Sequence, residues 1–270
     1  MKIIVDTADL GEIREAFSWG IVDGVTTNPS LIKKAAKKLQ EESPDTDIAD
    51  YIEQILETAR GCDVSLEVIG TSEAEMYEQG MFLYERFNPV AGNVIVKVPV
   101  NPNLGNGVEG SFDGLKTIKR LADNGIPINT TLVFTPEQAL LAAKAGARYV
   151  SPFAGRVDDD LRKQSGEPFD KTDYYPQAGE GDYHDNGIVS GVDLVAECVE
   201  ILAAFGYECG VLAASLRNSR QVRECALVGA DLATMPFSVL RSMIEHKQTI
   251  AGMRAFTDDI VPEYAALFDN

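Results

Sequence analysis

The chain alternates short apolar runs, rich in β-branched residues, with longer stretches of helical periodicity. Runs of the first kind favour strands, and apolar residues that recur every three to four positions favour amphipathic helices. The predicted strands are Lys2–Asp6, Gly24–Thr27, Val64–Ile69, Asn93–Pro99, Ile128–Phe134, Arg148–Phe153, Gly210–Ser215 and Leu232–Pro236. The predicted helices are Ala8–Phe17, a helix from Pro29 to a break at Ser43-Pro44, Ile48–Arg60, Ser72–Phe87, one within Val108–Asn124, Pro136–Ala145, Val192–Phe205, Ser219–Val228, Ser238–Ile244 and Thr249–Leu267.

Eight strands that alternate with helices over 270 residues favour a closed barrel of parallel strands. We therefore expect an α/β fold, a single (β/α)8 TIM barrel over residues 1–270 with an extra C-terminal helix. A doubly wound open sheet is the alternative, but the regularity of the βα units favours closure.

The fourth predicted strand contains a lysine, Lys97, inside an apolar run. Because side chains alternate along a strand, Lys97 is expected to share a face with Asn93 and Ile95. Desolvation favours the neutral form of a buried lysine, which is a nucleophile for carbonyl carbon in Schiff-base enzymes. The ordinary alternative is a lysine at a strand end that reaches solvent or pairs with a carboxylate.

Polar residues occupy the C-terminal ends of the predicted strands, where barrels carry their chemistry. They are Asp6, Thr26, Thr27, Asn28, Ser65, Glu67, Lys97, Asn129, Thr131, Ser151, Arg156, Ser215 and Arg217. Each residue taken alone also has an ordinary structural interpretation, as a helix cap, a turn residue, a side chain packed inside the barrel or a surface arginine. Together they predict one polar mouth.

A lysine and two acids at one mouth suggest Schiff-base chemistry on a ketone. Lys97 would attack the carbonyl, and Asp6 would act as the base for the hydroxyl next to the bond that breaks. Glu67 and Thr131 would hold the water needed for dehydration of the carbinolamine.

The remaining mouth residues suggest a phosphorylated polyol as the substrate. Asn28 would bind hydroxyl groups, and Arg156, Ser215 and Arg217 would bind a phosphate through charge-assisted hydrogen bonds.

Composition narrows the possible partners. The chain has 24 basic and 42 acidic residues and a net charge of −18, which argues against nucleic acid or an anionic membrane. No apolar run approaches the ~20 residues that cross a bilayer, and the N-terminus lacks the layout of a signal peptide.

The four cysteines have no CxxC spacing and are interpreted as free thiols in a reducing cytoplasm. No metal is expected, and the excess of acid reflects either solubility or adaptation to high salt.

Two motifs have competing interpretations. Residues 105–110 match G-x-G-x-x-G, but they lie beyond the strand end, and the next strand does not end in an acid. We interpret them as a flexible loop rather than a dinucleotide site. Asp158–Asp160 could suggest a metal cluster, but a solvated acidic loop within the polar stretch Asp158–Gly187 is the preferred interpretation.

Five stretches resemble the transaldolase family, in the family's order and over nearly the whole chain. They are Val5–Ala8, Gly24–Ser30 (Gly-Val-Thr-Thr-Asn-Pro-Ser), Val94–Pro99 (Val-Ile-Val-Lys-Val-Pro), Ser151–Arg156 (Ser-Pro-Phe-Ala-Gly-Arg) and Ala214–Asn218 (Ala-Ser-Leu-Arg-Asn). The resemblance implies a class I aldolase-type barrel with Lys97 as the Schiff-base residue and Asp6 as acid/base. It assigns Glu67 and Thr131 to catalysis, Thr26, Asn28, Asn129, Ser151 and Phe153 to substrate binding, and Arg156, Ser215 and Arg217 to phosphate binding.

Within the family, this sequence resembles the transaldolases rather than the fructose-6-phosphate aldolases. The aldolase-like members tend to carry Gln and Tyr where this chain has Glu67 and Phe153. The resemblance implies a cytoplasmic, cofactor-free homo-oligomer that transfers a dihydroxyacetone unit between sugar phosphates in the non-oxidative pentose phosphate pathway. A fructose-6-phosphate aldolase and a non-catalytic barrel that binds phosphate ligands are the alternatives.

Overall fold

The chain forms a closed barrel of parallel strands. The computed structural model describes residues 1–42, 47–105 and 111–269. Within them the strands follow one another around the barrel in sequence order, and the last pairs with the first. The strands are β1 (Lys2–Asp6), β2 (Gly24–Thr26), β3 (Asp63–Glu67), β4 (Val94–Pro99), β5 (Ile128–Val133), β6 (Tyr149–Pro152), β7 (Gly210–Ala213) and β8 (Leu232–Met235). The predicted (β/α)8 barrel is confirmed, and closure excludes the open sheet.

Helices cover the outside of the barrel and continue beyond its last strand. They are α1 (Leu10–Ser18), α2 (Pro29–Glu42), α3 (Ile48–Thr58), α4 (Glu73–Ala91), α5 (Asp113–Asp123), α6 (Pro136–Ala145), α7 (Ala154–Ser165), α8 (Gly191–Ala204), α9 (Ser219–Leu227), α10 (Phe237–Ser242), α11 (Lys247–Asp258) and α12 (Pro262–Ala265), followed by a 3₁₀ turn at Ala266–Phe268.

Side-chain caps fix several helix starts just beyond the C-terminal ends of strands. Asp9 accepts hydrogen bonds from the backbone at the start of α1, and Thr135 does so for α6. Ser72 and Glu75 form a capping box at the start of α4. Such caps satisfy N–H groups that have no partner within the helix. They therefore order the loops that surround the mouth.

The strand alternation separates two apolar layers. Val94, Val96 and Val98 of β4 belong to the main core between strands and helices. Ile95 belongs to a smaller cluster inside the barrel, on the face that also carries Lys97. Asn93 departs from the prediction, because its amide donates to carbonyl oxygens of α3 and the turn after it rather than facing the interior.

The expectation of a solvated acidic loop from Asp158 is wrong. α7 runs through Asp158–Asp160, and Asp158 and Asp159 are buried. Asp158 accepts from the Gly191 backbone N–H at 2.6 Å and from Gln221 Nε2 at 2.7 Å. These partners lie far along the chain, so local polarity gave no sign of them.

The C-terminal helix predicted at Thr249–Leu267 is divided. α11 ends at Asp258, and Pro262 begins α12, a position that tolerates the missing N–H of proline. Two other expectations, the helix break at Ser43-Pro44 and the part of the glycine motif at 106–110, lie outside the described residues.

Candidate active site

A cavity of about 590 Å³ opens at the C-terminal ends of the strands. It brings together all twelve side chains assigned to the site from the sequence. These are Asp6, Thr26, Asn28, Glu67, Lys97, Asn129, Thr131, Ser151, Phe153, Arg156, Ser215 and Arg217.

Lys97 lies inside the barrel with 5% of its surface exposed. Its Nζ is 3.0 Å from Glu67 Oε2 and donates to the Thr27 carbonyl oxygen at 3.0 Å. The contact follows from strand register, because Glu67 pairs with Lys97 across β3 and β4, and Lys97 pairs with Asn129 across β4 and β5. The lysine is therefore paired with a carboxylate, as the ordinary alternative proposed, but the pair lies within the cavity rather than at the surface.

Asp6 lies at the end of β1 and shares the cavity with Lys97. Burial raises the pKa of Asp6 above its ordinary value, while the positive charge of Lys97 and the hydrogen bond from Thr26 oppose that rise. The Thr26 hydroxyl donates to Asp6 Oδ1 at 2.7 Å. A carboxyl whose pKa is raised above its ordinary value holds a proton more readily and is suited to exchanging protons with a substrate.

A chain of hydrogen bonds crosses the wall of the barrel beside Lys97. The Asn129 amide donates to Ser65 Oγ at 3.2 Å and accepts from Ser151 Oγ at 2.6 Å. Thr131 also faces the cavity, and its buried hydroxyl has no hydrogen-bond partner among the described residues. A buried hydroxyl without a partner is costly unless a ligand or water supplies one.

Asn28 has both a structural and a potential binding role. Its Oδ1 accepts from the Leu31 backbone N–H at 3.0 Å and so caps the start of α2. Nδ2 makes no hydrogen bond with a described residue, and Asn28 lines the cavity. The amide N–H groups are therefore available to a ligand.

Two arginines lie at one end of the cavity. Arg156 is placed over the Phe153 ring, and Arg217 Nη2 pairs with Asp159 Oδ2 at 3.0 Å. Ser215, between β7 and α9, has a φ of +62°, which is unusual for a residue with a side chain. The strained turn carries the Ser215 hydroxyl and the Arg217 guanidinium into the same cavity.

Sequence reasoning missed several residues that line the cavity. Thr234 of β8 could have been found from strand alternation, because Leu232 and Thr234 share the inner face. Ser30 and Lys34 are four positions apart on α2 and so lie on one helix face. Leu132 could not have been anticipated, since it reaches the cavity through a bulge in β5 with a φ of +57°.

The described parts of the chain, 1–42, 47–105 and 111–269, contain no group of three His, Cys, Asp or Glu side chains arranged to hold a metal ion. Across the same ranges, no helix combines the length and apolarity that crossing a membrane requires.

The fold and the cavity define a TIM-barrel enzyme with a buried lysine–carboxylate pair at its centre. The chain belongs to the Transaldolase/Fructose-6-phosphate aldolase family, whose sequence model matches residues 3–269. This confirms the family resemblance over almost the full length.

Full-length relatives agree with this membership. The chain is 40% identical over 259 residues to a "Probable transaldolase" of Chlorobium phaeobacteroides (strain DSM 266), with 96% of each chain covered. It is 39% identical to one of Petrotoga mobilis, with 96% of this chain and 94% of the relative covered. It is 38% identical to one of Aquifex aeolicus, with 96% of each covered.

Proposed function

We propose that this chain is a transaldolase that carries a dihydroxyacetone unit on Lys97. The observation that supports the proposal most is the burial of Lys97 in the cavity within 3.0 Å of Glu67. The donor is fructose 6-phosphate or sedoheptulose 7-phosphate, and the acceptor is erythrose 4-phosphate or glyceraldehyde 3-phosphate. The reaction belongs to the non-oxidative pentose phosphate pathway and needs no cofactor, because a protonated imine is itself an electron sink.

Schiff-base formation requires Lys97 to lose a proton and then attack the donor ketone. Glu67 Oε2 is close enough to accept that proton, at 3.0 Å from Nζ. The amine forms a carbinolamine, and loss of water gives the iminium. Glu67 and the unpartnered Thr131 hydroxyl are suited to hold the departing water.

Cleavage of the adjacent carbon–carbon bond requires a base for the 4-hydroxyl. Asp6 is our candidate, because it shares the cavity and its pKa is raised by burial. Its proton acceptance releases the aldehyde and leaves an enamine on Lys97. The reverse steps with a new aldehyde then complete the transfer, while Thr26, Asn28, Asn129 and Ser151 bind substrate hydroxyls.

The phosphate group is assigned to the end of the cavity that holds Arg156, Ser215 and Arg217. These residues surround the start of α7, which has no side-chain cap at Phe153. A helix N-terminus and two guanidinium groups favour an anion there. Local charge of this kind offsets the repulsion from the acidic surface.

Transfer is favoured over simple aldolase activity by two side chains. Glu67 provides a carboxylate beside Lys97, and Phe153 provides no hydroxyl to protonate the enamine before the acceptor arrives. The test compares product formation from fructose 6-phosphate with and without erythrose 4-phosphate. We expect turnover only with the acceptor, and release of free dihydroxyacetone at a similar rate without it would favour the aldolase.

Borohydride trapping tests the covalent step. The intact protein with fructose 6-phosphate should give a reduced adduct on the peptide that contains Lys97, and Lys97→Met should abolish it. Lys34→Met is the matched control, because Lys34 lines the same cavity but is exposed. An adduct elsewhere, or none, would favour a non-catalytic barrel that binds phosphate ligands.

We also propose that the chain is one domain that assembles with copies of itself in the cytoplasm. No residue of α11, α12 or the final 3₁₀ turn is buried, although Ile250, Met253, Phe256 and Tyr264 are large and apolar. A helix of about 12 residues is marginal in water without packing. Other apolar side chains exposed on the barrel, such as Phe82 and Phe205, offer a second copy complementary surface.

A further inference from the structure

Arg217 makes hydrogen bonds with two residues that have no role in the proposed reaction, Gln221 and Asp159. Its backbone N–H donates to Gln221 Oε1 at 2.8 Å, and its Nη2 donates to Asp159 Oδ2 at 3.0 Å. Gly155 leaves room for the side chain to cross the start of α7, because a Cβ there would lie 2.8 Å from Arg217 Nε. The guanidinium is therefore held between α7 and the loop before α9.

The contact with Asp159 leaves part of the guanidinium free. Within the described part of the chain, the buried Nε has no partner and no residue accepts a hydrogen bond from Nη1. A pair that engages both carboxylate oxygens would occupy a whole edge of the guanidinium. The single contact holds the group in place and leaves donors for a ligand oxygen.

Stabilisation of the fold explains this ion pair poorly. The Asp159 side chain is 9% exposed, and its Oδ1 is buried with no hydrogen-bond partner among the described residues. A buried carboxylate with one unsatisfied oxygen contributes little to stability and often opposes it. A long arginine side chain, in contrast, loses affinity for a ligand when it must be ordered on binding.

We propose that Asp159 is a positioning residue, which holds Arg217 pre-ordered for the phosphate of the sugar substrate. The inference rests on the proposed function, in which Arg217 binds that phosphate. Asp159 does not touch the substrate, and its effect is confined to the phosphorylated end of the ligand. Removal of its charge should therefore weaken phosphate binding and leave the chemistry at Lys97 unchanged.

The test is steady-state transfer from fructose 6-phosphate to erythrose 4-phosphate with Asp159→Asn. We expect KM for fructose 6-phosphate and the inhibition constant of inorganic phosphate to rise by up to about tenfold, the size expected when one long side chain must be ordered on binding. The kcat value should stay within about twofold, since Asp159 makes no contact in the transition state. An unchanged or lower KM would overturn the proposal.

Dihydroxyacetone, which has no phosphate, separates positioning from a general structural effect. Borohydride trapping of dihydroxyacetone on Lys97 should proceed in Asp159→Asn as it does in the unmodified protein. Asp159→Glu, which keeps the charge, should restore part of the phosphate affinity even if Asp159→Asn is less stable. Equal losses with dihydroxyacetone and fructose 6-phosphate would show a structural role and overturn the proposal.

Two further variants complete the design. Asp160→Asn is the matched control, because Asp160 is the next residue on α7 but is exposed and lies 3.8 Å from Lys163. It should leave all constants unchanged. Asp159→Asn should have no further effect on KM in an Arg217→Met background. If Arg217→Met alone leaves KM unchanged while Lys97 is still trapped, the phosphate assignment of the proposed function fails, and the positioning role fails with it.

Discussion

At the scale of single residues, Asp6 shows a conflict between stability and the proposed reaction. Its carboxyl is buried, and burial raises its pKa against the opposing influence of Lys97 and Thr26. Glu67 already pairs with Lys97, so ionised Asp6 must share that buried ammonium group with a second carboxylate. An acid kept in such surroundings is typical of sites where function takes precedence over stability.

Asp6→Asn should therefore raise stability at neutral pH while it removes activity. Loss of a general base costs about 10²–10⁴ in rate. Because the pKa of Asp6 is raised in the folded state, that state binds the proton more tightly than the unfolded chain does. The stability linked to this proton is present at low pH and is lost as the pH rises through the folded pKa. Thermal unfolding of both proteins between pH 4 and 8 measures the effect.

The same experiment contains its own control. The gain in unfolding temperature for Asp6→Asn should be largest at pH 8 and should shrink as the pH falls toward 4, because protonation progressively removes the buried charge of Asp6 from the unmodified protein. A gain that grows as the pH falls would contradict the stated cause.

At the scale of elements, α7 connects the phosphate end of the cavity to the rest of the barrel. Gly155 in its first turn faces the loop after β7, and a Cβ there would lie 2.1 Å from the Ser215 carbonyl oxygen. Gly191 at the start of α8 is equally close to α7, since a Cβ would lie 2.0 Å from the Ala154 carbonyl oxygen. The start of α7 is thus packed between the loop after β7 and the start of α8. A shift away from one of these backbone segments would press α7 against the other.

Gly155→Ala should displace the loop that carries Ser215 and Arg217. We expect a lower unfolding temperature and a KM for fructose 6-phosphate that rises more than tenfold, because a clash with backbone cannot be relieved by a rotamer change. Gly252→Ala in α11 is the control, since a Cβ there meets nothing within 4 Å. A Gly155→Ala protein with unchanged KM would contradict the close packing.

The same elements show what the sequence could and could not predict. The sequence predicted that Lys97 and Glu67 meet at one mouth, because the pattern that marks a strand and its C-terminal end is local, and the structure pairs them across β3 and β4. It could not predict burial of Asp158 and Asp159, whose partners come from α8, α9 and the loop before α9. Composition made Asp158–Gly187 resemble a solvated loop, and only tertiary contacts distinguish a buried acid from an exposed one.

At the scale of the whole molecule, an apolar C-terminal segment on an acidic barrel suggests assembly through α11–α12. Ile250, Met253 and Phe256 are three positions apart and so form one exposed face of α11.

Deletion of residues 247–270 should lower the molecular mass measured by light scattering toward the monomer value, from a multiple of 29.3 kDa for the full chain. Phe256→Glu should do the same, because it places a charge on the apolar face. Gln248→Glu adds an equal charge on the opposite face of α11 and should leave the mass unchanged. A full chain that is already monomeric would contradict the assembly.

The acidic surface makes the stability of the whole molecule depend on salt. The sequence has 42 acidic and 24 basic side chains, so one-to-one pairing leaves at least 18 acids, 42 minus 24, without a basic partner. Salt weakens surface ion pairs, but it also screens the repulsion among the unpaired acids, whose range falls from ~10 Å at 0.1 M to ~3 Å at 1 M. Because exposed ion pairs each contribute little and the repulsion extends over the whole surface, screening should dominate. The unfolding temperature should therefore rise between 0.05 and 1 M NaCl. A flat or falling curve would show that the stabilisation from ion pairs exceeds the destabilisation from repulsion among the unpaired acids.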